Sequence, residues 1–397
     1  MMPPMPDRER TIAVDLPPAA YEVSVGVDLI PSLGRRVRER LGPGPARAFL
    51  IVDDNLPGST IADAGASLEA AGFSAGSASM GALESKKTLA THESLCNEVL
   101  RFRLERHEPV IALGGGIVGD VAGYVAASYR RGVPIVQCPT TLLAMVDASV
   151  GGKTGVNLVV NDEGGSSRLV KNMAGAFWQP ALVLADIATL RSLGDRQFRS
   201  GLFECVKHGL LSAGVGADEG LLQWMRGALA GALSRDESLL IDLVARNVEV
   251  KAHVVGRDER ESFGGVRALL NLGHTFAHAI EPIPSLTPTG DPGDAPLLHG
   301  EAVGYGLLAA AATARALRMI DESIEASIRE IVLAAGLPSA TLTGLPDDDA
   351  LLGAMFDDKK VARGRLRLVL PDSAGSSRLV DDPPREAVSE GWATIRG

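Results

Sequence analysis

Short apolar runs alternate with helical segments along the first half of the chain. Residues 48–52, 109–113, 134–137 and 181–185 are apolar runs of strand length, and the Ala-rich residues 121–128 have helical composition. Strands that are buried on both faces read as continuous apolar runs rather than alternating ones. The pattern therefore predicts a parallel sheet with helices on both faces.

The pattern changes after Leu193. Segments rich in Ala, Leu, Glu and Arg follow, among them residues 221–233 and 239–255, and strand-like runs become rare. This composition predicts a mainly helical second half. We expect one domain over residues 1–193 and another over residues 194–397.

Three segments are predicted to lack regular structure. Residues 1–12 have no apolar core, so we expect a flexible tail rather than a signal peptide. Residues 161–167 and 284–296 are polar and rich in Gly, Pro and Ser, which is typical of surface loops.

Size and charge narrow the class of protein. The 397 residues are 46% hydrophobic and 22% charged, with a net charge of −10, which indicates a soluble globular protein and argues against nucleic-acid or anionic-membrane partners. The longest apolar stretch, 302–320, contains Arg315 and is predicted to be a buried helix rather than a membrane span. Three cysteines without metal-type spacing suit reduced thiols, so we expect a cytoplasmic protein.

Three of the seven histidines lie in one short stretch beside carboxylates. His274 and His278 are four residues apart, which places them on one face of a helix, and His299 with Glu301 precedes the apolar helix. Imidazole and carboxylate are the ligands of a catalytic zinc with one open position. The alternative is a pair of helix histidines bonded to backbone or water.

Glu204 and Lys207 form a second charged group. They lie three residues apart on one predicted helix face, among apolar neighbours. A surface salt bridge is the simpler interpretation, but charges in apolar surroundings are costly unless they bind something.

A glycine-rich segment, Gly114 to Asp120, follows a predicted strand and precedes a predicted helix. Backbone N–H groups there could contact a pyrophosphate at the helix N-terminus, although the spacing is not G-x-G-x-x-G. A tight turn without a ligand is the alternative. Asp53, which ends an earlier strand, is a candidate to accept a hydrogen bond from a ribose hydroxyl. Asp is also an ordinary turn residue, which is the alternative.

Residues 146–157 contain a second polar, glycine-rich stretch. Gly152-Lys153-Thr154 is similar to a phosphate-binding P-loop, but Asp147 occupies the position of the required first glycine, so we reject ATP hydrolysis. We expect a loop in which Lys153 contacts an anion and Asp147 a hydroxyl.

Taken together, these motifs resemble the 3-dehydroquinate synthase family over about residues 45–375. They are, in order, GGGIVGD, QCPTTLLAMVDASVGGKTGVN, KNMAGAFWQP, GLFECVKHGLL, DERESFGGVRALLNLGHTFAHAIE, LLHGEAV and DKKVARGRLRLVLP. The resemblance implies the dehydroquinate synthase-like fold, with a Rossmann-like α/β NAD-binding domain followed by a mainly α-helical domain for metal and substrate.

The resemblance also implies an activity. A lyase of the shikimate pathway would convert 3-deoxy-D-arabino-heptulosonate 7-phosphate, a sugar-acid phosphate, into 3-dehydroquinate and phosphate. It would use NAD and one divalent metal, zinc or cobalt, for oxidation, phosphate elimination, reduction and aldol closure.

Site residues follow from the resemblance motif by motif. The metal ligands are expected to be Glu204, His274 and His299, so His278 moves to the substrate pocket. Expected NAD contacts are Asp53, Asn55, Glu84, Lys87, Gly116, Ile117, Val118, Gly119, Asp120, Thr140, Thr141, Lys153, Lys171, Thr189, Leu190, Arg191 and Ser192. Expected catalytic and substrate residues are Arg131, Asp147, Lys153, Lys171, Asn172, Lys207, Lys251, Arg267, Asn271, His278 and Lys359, with Lys360 as the alternative to Lys359. Arg131 resembles an arginine that reaches the neighbouring subunit's site, which implies a homodimer.

The chain departs from the family pattern in three places. Leu83-Glu84-Ser85 stands where the family usually has Gly-Glu-Gln, and the segments 158–170 and between His278 and His299 are longer than usual. The insert at 158–170 borders the expected site and could alter its closure.

Three other functions remain open at this point. One is a related cyclase acting on sedoheptulose 7-phosphate or glucose 6-phosphate, but Arg267 and Lys251 suit a substrate carboxylate that these sugars lack. Another is a metal-dependent polyol dehydrogenase, which has little use for so many anion contacts. The third is a non-catalytic sensing module, which would be expected to lose a metal ligand.

Overall fold

The computed structural model describes residues 9–161, 167–356 and 365–397, which form two compact units. The first contains the described residues up to Leu193 together with Leu240–Ala252. The second contains Gly194–Leu239 and the described residues from His253 to Gly397.

Strands of the first unit build a sheet and a hairpin. They are β1 (Glu9–Val14), β2 (Tyr21–Gly26), β3 (Arg47–Asp53), β4 (Ser74–Met80), β5 (Val110–Gly114), β6 (Ile135–Pro139), β7 (Lys153–Asn161), β8 (Ser167–Phe177) and β9 (Leu182–Asp186). The sheet order is β1-β2-β9-β6-β5-β3-β4, and all its pairs are parallel except β1–β2. Strands β7 and β8 pair antiparallel with each other. The four predicted strands correspond to β3, β5, β6 and β9, which confirms them.

Helices cover both faces of this sheet. They are α1 (Leu33–Leu41), α2 (Gly58–Ala70), α3 (Leu89–Arg101) and α4 (Gly116–Ser128). Successive residues of β3 point to opposite faces: Ile51 joins a core with Val118 and Val121 of α4, whereas Leu50 joins a core with Leu68 of α2. The predicted α/β architecture is confirmed.

Two predictions for the first unit are wrong. Residues 9–12 of the expected flexible tail belong to β1, because Ile12 and Val14 turn into the core while β1 pairs with β2; residues 1–8 lie outside the described residues. The stretch expected to be a loop around Lys153 is the start of β7, whose backbone groups are satisfied by pairing with β8. The predicted loop at 161–167 falls at the end of this hairpin, with 162–166 outside the described residues.

The second half of the chain is mainly helical, as predicted. Its helices are α5 (Asp195–Gly209), α6 (Leu221–Leu233), α7 (Glu237–Arg257), α8 (His274–Ile280), α9 (His299–Ala316), α10 (Glu322–Ala334), α11 (Asp348–Phe356) and α12 (Arg385–Ile395). A hairpin of β10 (Arg367–Ser373) and β11 (Ser376–Asp381) was not predicted.

Helix α9 is the centre of the second unit. It is buried along nearly its whole length and packs against α5, α8, α10 and α12. Glycines permit the closest approaches: a Cβ on Gly300 would lie 1.9 Å from the Ser200 carbonyl oxygen of α5, and one on Gly306 would lie 2.1 Å from the Gly273 carbonyl oxygen before α8. No helix within the described residues is long and apolar enough to cross a membrane.

Candidate functional site

Glu204, His274 and His299 converge in the second unit. Each comes from a different helix, α5, α8 and α9, and their candidate ligand atoms all lie within 4.8 Å of one another. The Nε2 atoms of His274 and His299 are each 3.5 Å from the same oxygen, Glu204 Oε1. His278 lies beside this cluster, with its ring centroid 5.6 Å from that of His274.

Contacts between α5 and α9 fix the helices that carry two of these residues. The guanidinium of Arg196 on α5 donates to both carboxylate oxygens of Glu301 on α9, at 2.7 and 2.8 Å. Glu301 in turn accepts the backbone N–H of Leu298 at the start of α9, at 2.8 Å, and Ser200 Oγ accepts that of Gly300 at 3.1 Å. His299 therefore starts a helix whose first turn is held against the helix that carries Glu204.

Charge in this cluster favours a cation. The buried Glu204 carboxylate pairs with Lys207 one turn later on α5. Burial by itself lowers the pKa of His299, but the carboxylates of Glu281 and Glu204 outweigh burial and raise that pKa to about 10. The carboxylates therefore attract positive charge to this imidazole, which carries a second proton without a metal and would give that proton up to bind one. One carboxylate and two imidazoles form the donor set of a catalytic metal with an open position, so these residues fit such a metal.

The glycine-rich segment forms the junction between β5 and α4. The helix begins at Gly116 rather than at residue 121, because Gly116 to Asp120 already form its first turns. Gly119 leaves room for the side chain of Gln137, since a Cβ there would lie 2.8 Å from Gln137 Oε1. A helix N-terminus directly after a buried parallel strand presents backbone N–H groups and the positive end of the helix dipole, as phosphate-binding turns do.

Lys87 connects predicted NAD and substrate residues in the first unit. Its buried ammonium donates to Asp120 Oδ2 at 2.5 Å and to Asn172 Oδ1 at 2.6 Å. Burial raises the pKa of the Asp120 carboxyl, and the Lys87 ammonium opposes that rise.

Asn157 belongs to a motif that the sequence analysis singled out, but no role in the site was predicted for it. Its side chain, 1% exposed, donates to the Glu84 carbonyl at 3.1 Å and to the Glu84 carboxylate at 2.8 Å. Its Oδ1 accepts the backbone N–H of Asn172 at 2.8 Å, and its own N–H donates to the Lys87 carbonyl at 2.8 Å. The sequence signal was its place at the end of the polar, glycine-rich stretch 146–157, which continues into β7.

The other predicted site residues of the first unit lie on several different elements. Lys251 on α7 donates to Asp147 Oδ1 at 2.8 Å, and Asp147 lies in a π-helical turn, Ala144–Ala148. Asp53 accepts the backbone and side-chain N–H groups of Asn55 at 3.0 Å, so it serves the turn after β3. The rest lie as follows: Thr140 and Thr141 after β6, Lys153 and Lys171 on the β7–β8 hairpin, Thr189, Leu190, Arg191 and Ser192 in a 3-10 helix, and Arg131 exposed in a turn after α4.

Arg267 and Asn271 lie in a 3-10 helix, Val266–Asn271, just before α8. Arg267 is 1% exposed and donates to the Glu259 carbonyl, and Asn271 donates to Glu261 Oε1 at 3.0 Å. Lys359 and Lys360 lie outside the described residues.

Comparison with solved structures identifies the fold. The structure of a 2-epi-5-epi-valiolone synthase from Streptomyces hygroscopicus, with NAD⁺ and Zn²⁺ bound, matches at a TM-score of 0.78 and 24% identity, covering 96% of this chain and 98% of that one. A 2-deoxy-scyllo-inosose synthase complexed with carbaglucose-6-phosphate, NAD⁺ and Co²⁺ matches at 0.74 and 21%, covering 97% and 99%. The fold is that of the dehydroquinate synthase-like sugar-phosphate cyclases.

Sequence comparison identifies the family. Family models described as 3-dehydroquinate synthase N-terminal and C-terminal match residues 77–200 and 201–361. A 3-dehydroquinate synthase from Nitrobacter hamburgensis is 40% identical over 383 residues, covering 94% of this chain and 92% of the relative. The chain belongs to the 3-dehydroquinate synthase family, and the resemblance inferred from its motifs is confirmed.

Proposed function

We propose that this protein is a lyase that converts 3-deoxy-D-arabino-heptulosonate 7-phosphate into 3-dehydroquinate and phosphate, using NAD and one divalent metal, zinc or cobalt. The observation that carries the proposal is the convergence of Glu204, His274 and His299 within 4.8 Å in a member of this family. One carboxylate and two imidazoles are the donor set of a catalytic metal with an open position.

The two domains would divide the binding tasks. Residues 1–193 would bind NAD, with the pyrophosphate at the N-terminus of α4 and with Lys87 and Asp120 beside it. Residues 194–397 would bind the metal and substrate, and Lys251, in the part of α7 that belongs to the first compact unit, would add a cation for the substrate. When bound, NAD⁺ supplies a reversible hydride acceptor and the metal a Lewis acid, which together acidify the proton next to the departing phosphate.

The chain's side chains would hold the substrate in one pose for all steps. Arg267 would bind the carboxylate, because a guanidinium offers two parallel donors to it. Lys251 orients the Asp147 carboxylate, which would accept a substrate hydroxyl. The remaining predicted contacts are Lys153, Lys171, Asn172, Lys207, Asn271, His278 and Lys359.

We further propose a homodimer and a cytoplasmic location. Arg131 is exposed, in a turn after α4, where it could reach the phosphate in a neighbouring subunit's site. The spacing of the cysteines, which suits reduced thiols, supports the location.

Phosphate release tests the substrate assignment. We expect rapid release from the seven-carbon keto acid phosphate and little from sedoheptulose 7-phosphate or glucose 6-phosphate, because only the first substrate offers Arg267 a carboxylate. Preferred turnover of either sugar phosphate would refute the assignment.

A further inference from the structure

Glu281 directly follows α8 and faces His299, one of the metal-ligand candidates. Its side chain is 11% exposed, and its Oε2 lies 3.4 Å from Nδ1 of His299. A carboxylate this deeply buried is stable only with hydrogen-bond or charge partners, and one of those partners is the imidazole of His299.

The two histidines of the cluster are arranged alike. In each ring, Nε2 faces Glu204 Oε1 at 3.5 Å. On the opposite side of the ring, Nδ1 of His274 faces the Leu272 carbonyl at 3.2 Å, and Nδ1 of His299 faces Glu281. When a metal binds the cluster, an acceptor at Nδ1 keeps the ring proton on that nitrogen and leaves the Nε2 lone pair for the metal.

The two rings differ in how much packing restrains them. The side chain of His274 is 11% exposed, whereas that of His299 is 33% exposed. Because less of the surrounding protein contacts His299, its ring orientation depends more on the hydrogen bond at Nδ1. The carboxylate also makes the imidazole a stronger donor to a cation than a backbone carbonyl does.

We propose that Glu281 is a positioning residue for the metal centre: its carboxylate accepts the Nδ1–H of His299 and directs the Nε2 lone pair of that ring toward the metal. This inference rests on the proposed function, because it takes Glu204, His274 and His299 as the ligands.

Metal affinity of the purified full-length chain tests the role of Glu281 without relying on activity. Zn²⁺ affinity would be measured by competition with a chelator, and Co²⁺ binding by visible absorption, in the wild type and in Glu281→Leu and Glu281→Gln. We expect Glu281→Leu to raise the Kd for Zn²⁺ by about 10–100-fold, which is the usual effect of losing a group that orients a metal ligand. Glu281→Gln should weaken it less, since an amide oxygen can still accept the Nδ1–H but carries no charge.

Controls separate positioning from folding. Glu322→Leu makes the same substitution at an exposed position on α10 and should leave the Kd unchanged. The Tm of the metal-free chain and its NAD affinity report on folding. If Glu281→Leu fails to fold, Glu281→Gln decides: a weaker Kd with a changed Co²⁺ spectrum supports the proposal, and an unchanged Kd and spectrum overturn it.

The outcomes also distinguish this proposal from the function on which it rests. A folded Glu281→Leu variant with the wild-type Kd would overturn the positioning role while leaving the ligand set intact. Wild-type affinity in His299→Ala would instead overturn the ligand set, and the role of Glu281 with it.

Discussion

Single residues in this chain carry charge at sites where burial makes charge expensive. Glu204, Lys207 and Arg267 are each 1% exposed, and Lys87 is 4% exposed. Charges buried this deeply are retained only with close partners or ligands. Substitutions at Arg267 and at His299, which contacts Glu204, test the roles proposed for these buried charges.

Arg267→Lys tests the carboxylate assignment. Lysine keeps the charge but cannot form two parallel hydrogen bonds, so kcat/KM for the keto acid phosphate should fall by the equivalent of about 1.5–3 kcal/mol. Steady-state kinetics measure this, with Arg260→Lys at an exposed position as the control. An unchanged kcat/KM would show that Arg267 does not hold the carboxylate.

His299→Ala tests the metal ligands. Removing one of three protein donors should weaken Zn²⁺ binding by more than the roughly 10–100-fold typical of an orienting group, and elemental analysis after dialysis should show metal loss. The exposed His107→Ala serves as the control. Full metal occupancy in His299→Ala would contradict the assignment.

Helices and strands could be predicted where an element's own residues form a continuous apolar or helical pattern. Strands β3, β5, β6 and β9 are continuous apolar runs, and the predicted segment 221–233 matches α6. Strand β1 was not predicted because only Ile12 and Val14 are buried in it, and its stability depends on pairing with β2. The β7–β8 hairpin was missed because glycines and polar residues at its start favour a loop locally.

The site was harder to predict than the fold, because its ligands meet through packing between elements. Residue spacing alone suggested the His274–His278 pair, since only neighbours on one helix are visible in a sequence. His299 and Glu204 were also noted from the sequence, but only the family resemblance joined them with His274 as metal ligands and moved His278 to the substrate pocket. Their convergence depends on the close approach of α5 to α9, which no local pattern encodes.

Gly300→Ala tests that approach. The added Cβ would lie 1.9 Å from a backbone oxygen of α5, so the helices must separate, and the free energy of unfolding should fall by about 1–3 kcal/mol. Metal affinity should fall as well. In Gly227→Ala on α6, where the new Cβ meets nothing within 4 Å, stability should instead rise by up to about 1 kcal/mol. Equal denaturation midpoints for Gly300→Ala and the wild type would refute the packing argument.

Asn157→Ala tests the link between the segment Glu84–Lys87 and the β7–β8 hairpin. Loss of the amide leaves the Glu84 carbonyl and the Asn172 N–H without this partner, which should lower the free energy of unfolding by about 1–3 kcal/mol. NAD affinity should also fall, because Lys87 and Asn172 lose their shared support. Asn97→Ala, at an exposed position on α3, is the control. An unchanged Kd for NAD in Asn157→Ala would contradict the predicted link between Asn157 and NAD binding.

At the scale of the whole molecule, the net charge of −10 coexists with a proposed anionic substrate. Cations at the site therefore have to outweigh the repulsion between the negatively charged protein and the substrate. The candidate cations Lys87, Lys207, Lys251 and Arg267 are all buried, and salt screens buried charges less than exposed ones. We expect substrate KM to depend only weakly on ionic strength.

The balance of NAD during turnover tests the central claim most directly. Phosphate release and NADH absorbance would be followed together, with NAD far below the substrate concentration. The account predicts many phosphates released per NAD and no net NADH, because the hydride is returned in each cycle. NADH accumulating in step with product would contradict it and support a polyol dehydrogenase instead.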